Sequence, residues 1–173
     1  LEATWLPHDN LTDRDRSSVQ FDHFTAINPH WYASADLNNV SDRAYFSDFG
    51  QSLNATSISF LGSDAGIYGR GRNWSASASL QYWQIASINP VFNDTTSPFH
   101  RLPRIQASWT NPVNSKFEFG IHSELVRYER NKDLVPNEGG TRIDLQPFIR
   151  MPLSGASWYV TPELAWRFTQ YSD

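Results

Sequence analysis

The stretch TRIDLQPFIRMPLSGASWYVTPELAWRFTQY, residues 141–171, decides how this chain is read. In its first arm Ile143, Leu145, Pro147, Ile149 and Met151 fall on one face, with Arg142, Asp144, Gln146 and Arg150 on the other. Phe148 alone breaks the pattern. After a turn at residues 152–155, Trp158, Val160, Pro162, Leu164, Trp166 and Phe168 oppose Ser157, Tyr159, Thr161, Glu163, Arg167 and Thr169. Side chains two apart share a face in a strand, so the stretch predicts a hairpin. Arms of about ten residues exceed the five or six of an ordinary strand and match the ~9 to 11 that a tilted strand needs to cross a bilayer. Pro147 and Pro162 each lack a ladder donor, which predicts weakened pairing or a bulge at both.

The same alternation runs outward through the chain. Leu1, Ala3 and Trp5 alternate with Glu2 and Thr4 until Pro7 is expected to end the strand. Val19, Phe21 and Ile27 lead through an Asn28–Pro29 turn to Trp31, Ala33, Ala35 and Leu37, a second hairpin. A less regular strand shifts phase between Phe60 and Leu61, and the adjacent Gly62 predicts a bulge. Beyond a turn at 69–73, Trp74, Ala76, Ala78, Leu80 and Tyr82 oppose Ser75, Ser77, Ser79 and Gln81. Ile105, Ala107 and Trp109 follow; after a turn at Asn111–Pro112, Phe117, Phe119, Ile121 and Leu125 oppose Glu118, His122 and Glu124. Helical spacing is never sustained.

The connections alternate between short turns, near Pro29, Gly71, Pro112 and Ser154, and long loops, near Thr12, Gly50, Asp94 and Val135. That order is the up-and-down pattern of outer-membrane barrels; Greek-key crossovers of a soluble sandwich give no reason for it. The reading is therefore all-β: an antiparallel up-and-down transmembrane β-barrel segment of about nine strands, residues 1–173 forming one internal portion with no second domain. Bacterial single-chain barrels use even strand numbers, so nine implies an open piece of a larger barrel. The first residues already follow a strand pattern with no initiator Met or signal peptide, as expected of a portion of something longer.

Composition is compatible with this. Of 173 residues 39% are hydrophobic and 14% aromatic, including seven Trp, which suits a wall whose polar and apolar residues alternate between aromatic girdles. A net charge of −4 without a basic run argues against a nucleic-acid partner. The absence of cysteine removes disulfides and thiolate metal sites. No apolar run is long enough for a transmembrane helix.

In a membrane sheet the apolar face meets lipid and the polar face the lumen, since an Arg at the lipid midplane costs ~2 to 4 kcal/mol. This assigns Glu118, His122, Glu124, Arg142, Asp144, Arg150, Glu163 and Arg167 inward, as candidates for contact with a plug or substrate. Both signs are present, so pairing across neighbouring strands is expected. Catalytic and metal sites are not expected, nor is a cofactor. Glu118 and Glu124 share a face but lie ~20 Å apart along a strand, too far for one glycosidic bond. His122 and Ser123 suggest a hydrolase pair, but adjacent strand residues point to opposite faces. Asp9, Asp13 and Asp15 lack the spacing of a calcium loop, and Gly69-Arg70-Gly71 reads as a tight turn, without the Lys of a phosphate loop. The alternative is a soluble or surface β-sandwich binding carbohydrate through exposed Trp.

Four runs carry a family resemblance: Trp5-Leu6-Pro7-His8-Asp9; Val40-Ser41-Asp42 with Tyr45-Phe46-Ser47-Asp48; Arg101-Leu102-Pro103-Arg104-Ile105; and Gly140-Thr141-Arg142-Ile143-Asp144-Leu145-Gln146-Pro147. In this order they resemble the barrel domain of the LptD family. The resemblance implies a non-enzymatic role in a bacterial outer-membrane translocon that inserts lipopolysaccharide into the outer leaflet. It also implies an LptE-like plug lipoprotein in the lumen and an LptA-like periplasmic bridge protein reached through an N-terminal domain. Lipopolysaccharide and outer-membrane lipid are the other expected partners. The family's periplasmic region, its cysteines and its seam strands have no counterpart here, so the resemblance implies an internal part of the barrel.

Overall fold

The computed structural model describes residues 1–50, 56–112, 116–130 and 139–172. Eight long strands follow one another in space as in sequence: β1 (Glu2–Asp9), β2 (Arg14–Asn28), β3 (Trp31–Val40), β4 (Phe60–Arg70), β5 (Trp74–Ile85), β6 (His100–Pro112), β7 (Glu118–Glu129) and β8 (Gly139–Arg150). The ninth arm is interrupted. β9 (Leu153–Ser154) pairs with β10 (Tyr159–Val160), while β11 (Glu163–Ala165) and β12 (Phe168–Ser172) lie back along β8. Every pairing is antiparallel and, with β9 counted as the continuation of β8 and β10 to β12 as the ninth arm, joins arms adjacent in sequence; β1 is at the free edge, so the sheet is an open up-and-down meander of nine arms. A single turn and a half of helix, α1 (Tyr45–Phe49), sits in the β3–β4 connection.

The alternation read from the sequence holds, and it sorts the faces by exposure in the sense opposite to a water-soluble sheet. On β8, Ile143 and Ile149 are 38% and 44% exposed while Asp144 and Phe148 are each 7% exposed. On β6, Ile105, Ala107 and Trp109 are exposed between half-buried Arg104, Gln106, Ser108 and Thr110. Full exposure of a large apolar side chain to water forfeits ~1.5 to 3 kcal/mol, and many such side chains on this face are left partly uncovered, so it is built for a non-aqueous surrounding. No second sheet covers it among the described residues, which disfavours the sandwich.

Phe148, the exception in the pattern, belongs to the polar face. Its ring lies over Gly120 of β7, where a Cβ would sit 2.6 Å from the ring. The two prolines behave as expected in one respect only. Pairing is interrupted at both, yet the register runs unchanged from Tyr159↔Ser154 to Ser172↔Thr141, without a bulge. Met151 N–H donates to the Pro162 carbonyl and Trp166 N–H to the Pro147 carbonyl, each at 3.0 Å. Each proline removes only the reciprocal bond of its pair, because only the N–H is missing.

Four local expectations are corrected. β1 does not stop at Pro7 but runs to Asp9, accommodating the proline where the register with β2 shifts between Leu6 and Asp9. The connection near Thr12 is not long: Thr12 and Asp13 N–H groups both bond the Asp9 carbonyl in a four-residue turn, and Arg14, Asp15 and Arg16 after it already start β2. Gly62 marks no bulge, since β4 and β5 pair in unbroken register from Phe60↔Ile85 to Arg70↔Ser75. Gly62 instead makes room for Trp83 opposite it, whose ring would lie 3.0 Å from a Cβ there. A bulge does occur at Leu102 and Pro103, where β6 shifts register against both neighbours. The Asn111–Pro112 turn begins later than expected, both residues still pairing with β7. Residues 113–115 and most of the Val135 loop lie outside the described residues.

The short turns share a design. Asn28-Pro29-His30-Trp31, Gly71-Arg72-Asn73-Trp74 and Gly155-Ala156-Ser157-Trp158 each end on a Trp. Gly71 and Gly155 N–H groups donate to the carbonyls of Trp74 and Trp158 at 2.8 Å, and Asn28 Oδ1 accepts from Trp31 N–H at 3.0 Å. A Cβ at Gly71 or Gly155 would run into the indole that folds over it. Together with Trp109, these residues form an aromatic band at the short-turn end of the apolar face, the arrangement of a membrane interface.

Candidate functional site

The candidate site is the polar face, and its charges are arranged by register. Glu124 stands directly opposite Asp144 across β7–β8, a like-charge pair resolved by diagonal arginines. Arg104 Nε donates to Glu124 Oε1 at 2.7 Å, Gln106 Nε2 donates to the same oxygen at 3.2 Å, and Arg142 bonds Oε2. Arg167 grips both oxygens of Asp144 at 2.6–3.0 Å, and Thr169 adds a hydroxyl at 3.1 Å. Arg150 donates to Glu118 at 2.6 Å. Charge-assisted bonds of this kind hold neighbouring strands to one geometry.

Six of the eight sequence candidates are thus joined into ion pairs, with Arg104 as a member the sequence reading omitted. Glu163 faces Arg150 in register but joins no ion pair among the described residues. His122 pairs with no charge either; its ring stacks on Phe148 at 5.2 Å and 17°. Ser123 points away from it, its hydroxyl donating to the Ala107 carbonyl at 3.1 Å.

A second cluster at the long-loop end was not legible as a unit. Arg16, 2% exposed, donates from Nε and Nη2 to the two oxygens of Asp42 at 2.9 and 3.0 Å. Its Nη1 reaches Asp48 at 2.7 Å and Asp9 at 3.3 Å, and its guanidinium lies 4.5 Å from the Phe49 ring centroid. Tyr45 hydroxyl meets Thr4 Oγ1 at 2.6 Å. Burial pushes the Asp42 carboxyl up, but bonds from Arg16, Ser41 and the Ala44 N–H outweigh it and hold the group below its ordinary value of 3.8. The effect is to pin α1 to the ends of β1 and β2. Of the aspartates considered for calcium, Asp9 is held by Arg16 and the Leu11 N–H, and Asp15 accepts from the His8 N–H.

The remainder of the face is less bound. Asp22, Asp36 and Asp64 are opposite one another on β2, β3 and β4, and no Arg, Lys or His pairs with them among the described residues. Beside them Phe24, Tyr32 and Tyr68 form a row of rings at 5.4 and 5.1 Å.

An open antiparallel meander with an exposed apolar face, an aromatic band at its turns and an ion-paired polar face is a segment of transmembrane β-barrel wall. Comparison with known proteins narrows this. Residues 14–172 match the family model described as LptD: LPS transport system D. The chain is 36% identical over 186 residues to the LPS-assembly protein LptD of Xylella fastidiosa (strain Temecula1 / ATCC 700964), covering 98% of this chain and 23% of that protein. It is 34% identical over 201 residues to the LPS-assembly protein LptD of Xanthomonas oryzae pv. oryzae (strain MAFF 311018), covering 99% and 24%. The chain belongs to the LptD family. It spans about a quarter of the length of these curated relatives.

Proposed function

We propose that this chain forms part of the wall of a bacterial outer-membrane barrel that assembles lipopolysaccharide into the outer leaflet. The apolar face meets lipid and the polar face lines a wet lumen. The observation that carries the reading is the inverted exposure of the two faces, taken with family membership. In this reading Glu118, His122, Glu124, Arg142, Asp144, Arg150, Glu163 and Arg167 are wall groups presented to an LptE-like plug lipoprotein or to the polar part of the substrate. An LptA-like bridge protein would act through a region outside this chain. In this reading the wall performs no catalysis: six of the eight candidate groups are held in ion pairs, and His122 and Ser123 stand on opposite faces.

Depletion of the full-length protein in its Gram-negative host tests this. Surface-exposed lipopolysaccharide is expected to fall, with the protein found in the outer-membrane fraction. Unchanged surface lipopolysaccharide, or a full-length protein that is water-soluble without detergent, would overturn it.

A further inference from the structure

Between the aromatic row of β3–β4 and the His122 ring of β7, the polar face sinks into a trough of about 430 Å³. One wall is the stacked pair Tyr32 and Tyr68, whose rings are 17° from parallel. Tyr68 lies down along the sheet because Gly66 has no Cβ; one there would sit 2.8 Å from the phenol oxygen. The floor is low and hydroxylated: Ser77 is opposite both Tyr68 and Gln106, and Ser75 and Ser108 hydroxyls meet at 2.7 Å. The far wall is His122, its ring held by Phe148. Arg70 lines one end, and its guanidinium joins no ion pair or side-chain hydrogen bond among the described residues. That sets it apart from Arg104, Arg142, Arg150 and Arg167, each committed to a carboxylate.

Flat aromatic faces with hydroxyl and amide groups between them match the two surfaces of a pyranose, whose ring C–H groups are apolar and whose rim is hydroxylated. A free guanidinium at one end adds a partner for a carboxylate or phosphate. The volume lies in the range of small-ligand sites. We propose that this trough is a subsite for an acidic saccharide, with Tyr68 as the stacking platform and Arg70 as the anion-reading residue. The proposal rests on the barrel reading above, in which this face lines the lumen.

The test uses the full-length protein purified in detergent, titrated calorimetrically with digalacturonate, maltose and inorganic phosphate. Digalacturonate is expected to bind about tenfold more tightly than maltose. Arg70→Gln should remove that advantage and leave maltose binding unchanged. Tyr68→Ala should abolish binding of both sugars, whereas Tyr68→Phe, which keeps the ring, should retain it. Heat-modifiable gel mobility verifies that each variant is a folded barrel. Phosphate binding as tight as digalacturonate, equal binding by the Arg70→Gln and Tyr68→Ala variants and the parent, or no sugar binding up to about 10 mM would each overturn the subsite. A photoreactive residue in place of Ser34, beside the rings, separates the sources of the saccharide. Crosslinking to lipopolysaccharide in cells supports the subsite on the transport route, and titration without any crosslink supports a subsite for a different acidic glycan. If the subsite variants bind no sugar differently while depletion still removes surface lipopolysaccharide, the subsite fails and the barrel reading stands.

Discussion

The two halves of the polar face solve the same electrostatic problem in opposite ways. Across β6, β7, β8 and the last arm, the opposed acids Glu124 and Asp144 are each tied to arginine, and Glu118 is tied to Arg150. Across β2, β3 and β4, the opposed Asp22, Asp36 and Asp64 are left to water and to amides, Gln20 to Asp22 at 3.3 Å and Asn38 to Asp36 at 2.6 Å. Like charges directly opposite in a ladder are destabilising, so the first half is stitched and the second half is strained by its own sequence. The polar face is therefore not uniformly optimised for the stability of the sheet: one half is closed on itself by ion pairs and the other is left without them.

The largest test of this contrast is at the buried cation. Arg16→Met leaves Asp9 and Asp48 without a counter-charge and Asp42 with only the exposed Arg14, 3.3 Å away, and is expected to cost about 3 kcal/mol in equilibrium unfolding of the full-length barrel. It should also expose α1 to protease. The same anchor has a defined pH dependence. The Asp42 carboxyl is depressed on folding, so its contribution is complete above the ordinary value of 3.8 and is lost as pH falls through the lower folded value. Protease sensitivity at α1 should therefore stay flat from neutral pH to about 4 and rise only in stronger acid. Onset near pH 6 would assign the anchor to a histidine instead.

Next in size, Glu124→Gln in the stitched half should destabilise by about 2 kcal/mol, because Arg104 and Arg142 lose their shared carboxylate. A neutral effect would mean that these pairs are solvated and that the two halves do not differ. Pro147→Val restores the donor missing opposite Trp166 and should stabilise by about 1 kcal/mol, with slowed amide exchange in the last arm. Smallest, and opposite in sign to the Glu124 change, Asp36→Asn should stabilise by about 0.5 kcal/mol by relieving repulsion from Asp22 and Asp64. If Asp36→Asn destabilises, the row is held by a cation and the contrast between the halves collapses.

Much of this was legible in the chain. Period-two alternation identified the strands because a strand has only two faces, and the clustering of Glu124, Arg142, Asp144 and Arg167 on one face followed from parity alone. The Arg16 cluster was not legible in the same way. Its acids come from positions 9, 42 and 48, the first separated from the others by a turn and two strands and the last lying within a helix, and no local spacing links them. The recurring Trp at the fourth position of three short turns carries no meaning in the sequence alone, because it depends on the indoles folding over Gly71 and Gly155.

Local patterning of side chains along the backbone was enough to give the two faces, the run of long antiparallel strands and most of the short turns, but not the strand ends at Pro7 and Pro112 or the short turn at Thr12. Only the tertiary structure decided the register, and with it which charges are opposite, which are paired and which are not. A change of register by one residue would turn every side chain of a strand to the other face, so parity fixes the face and leaves the partner to be chosen by contacts across the sheet. The choice of partner separates the stitched acids of β7 and β8 from the bare row of β2 to β4. It also sets Arg70 free beside the rings of Tyr32 and Tyr68.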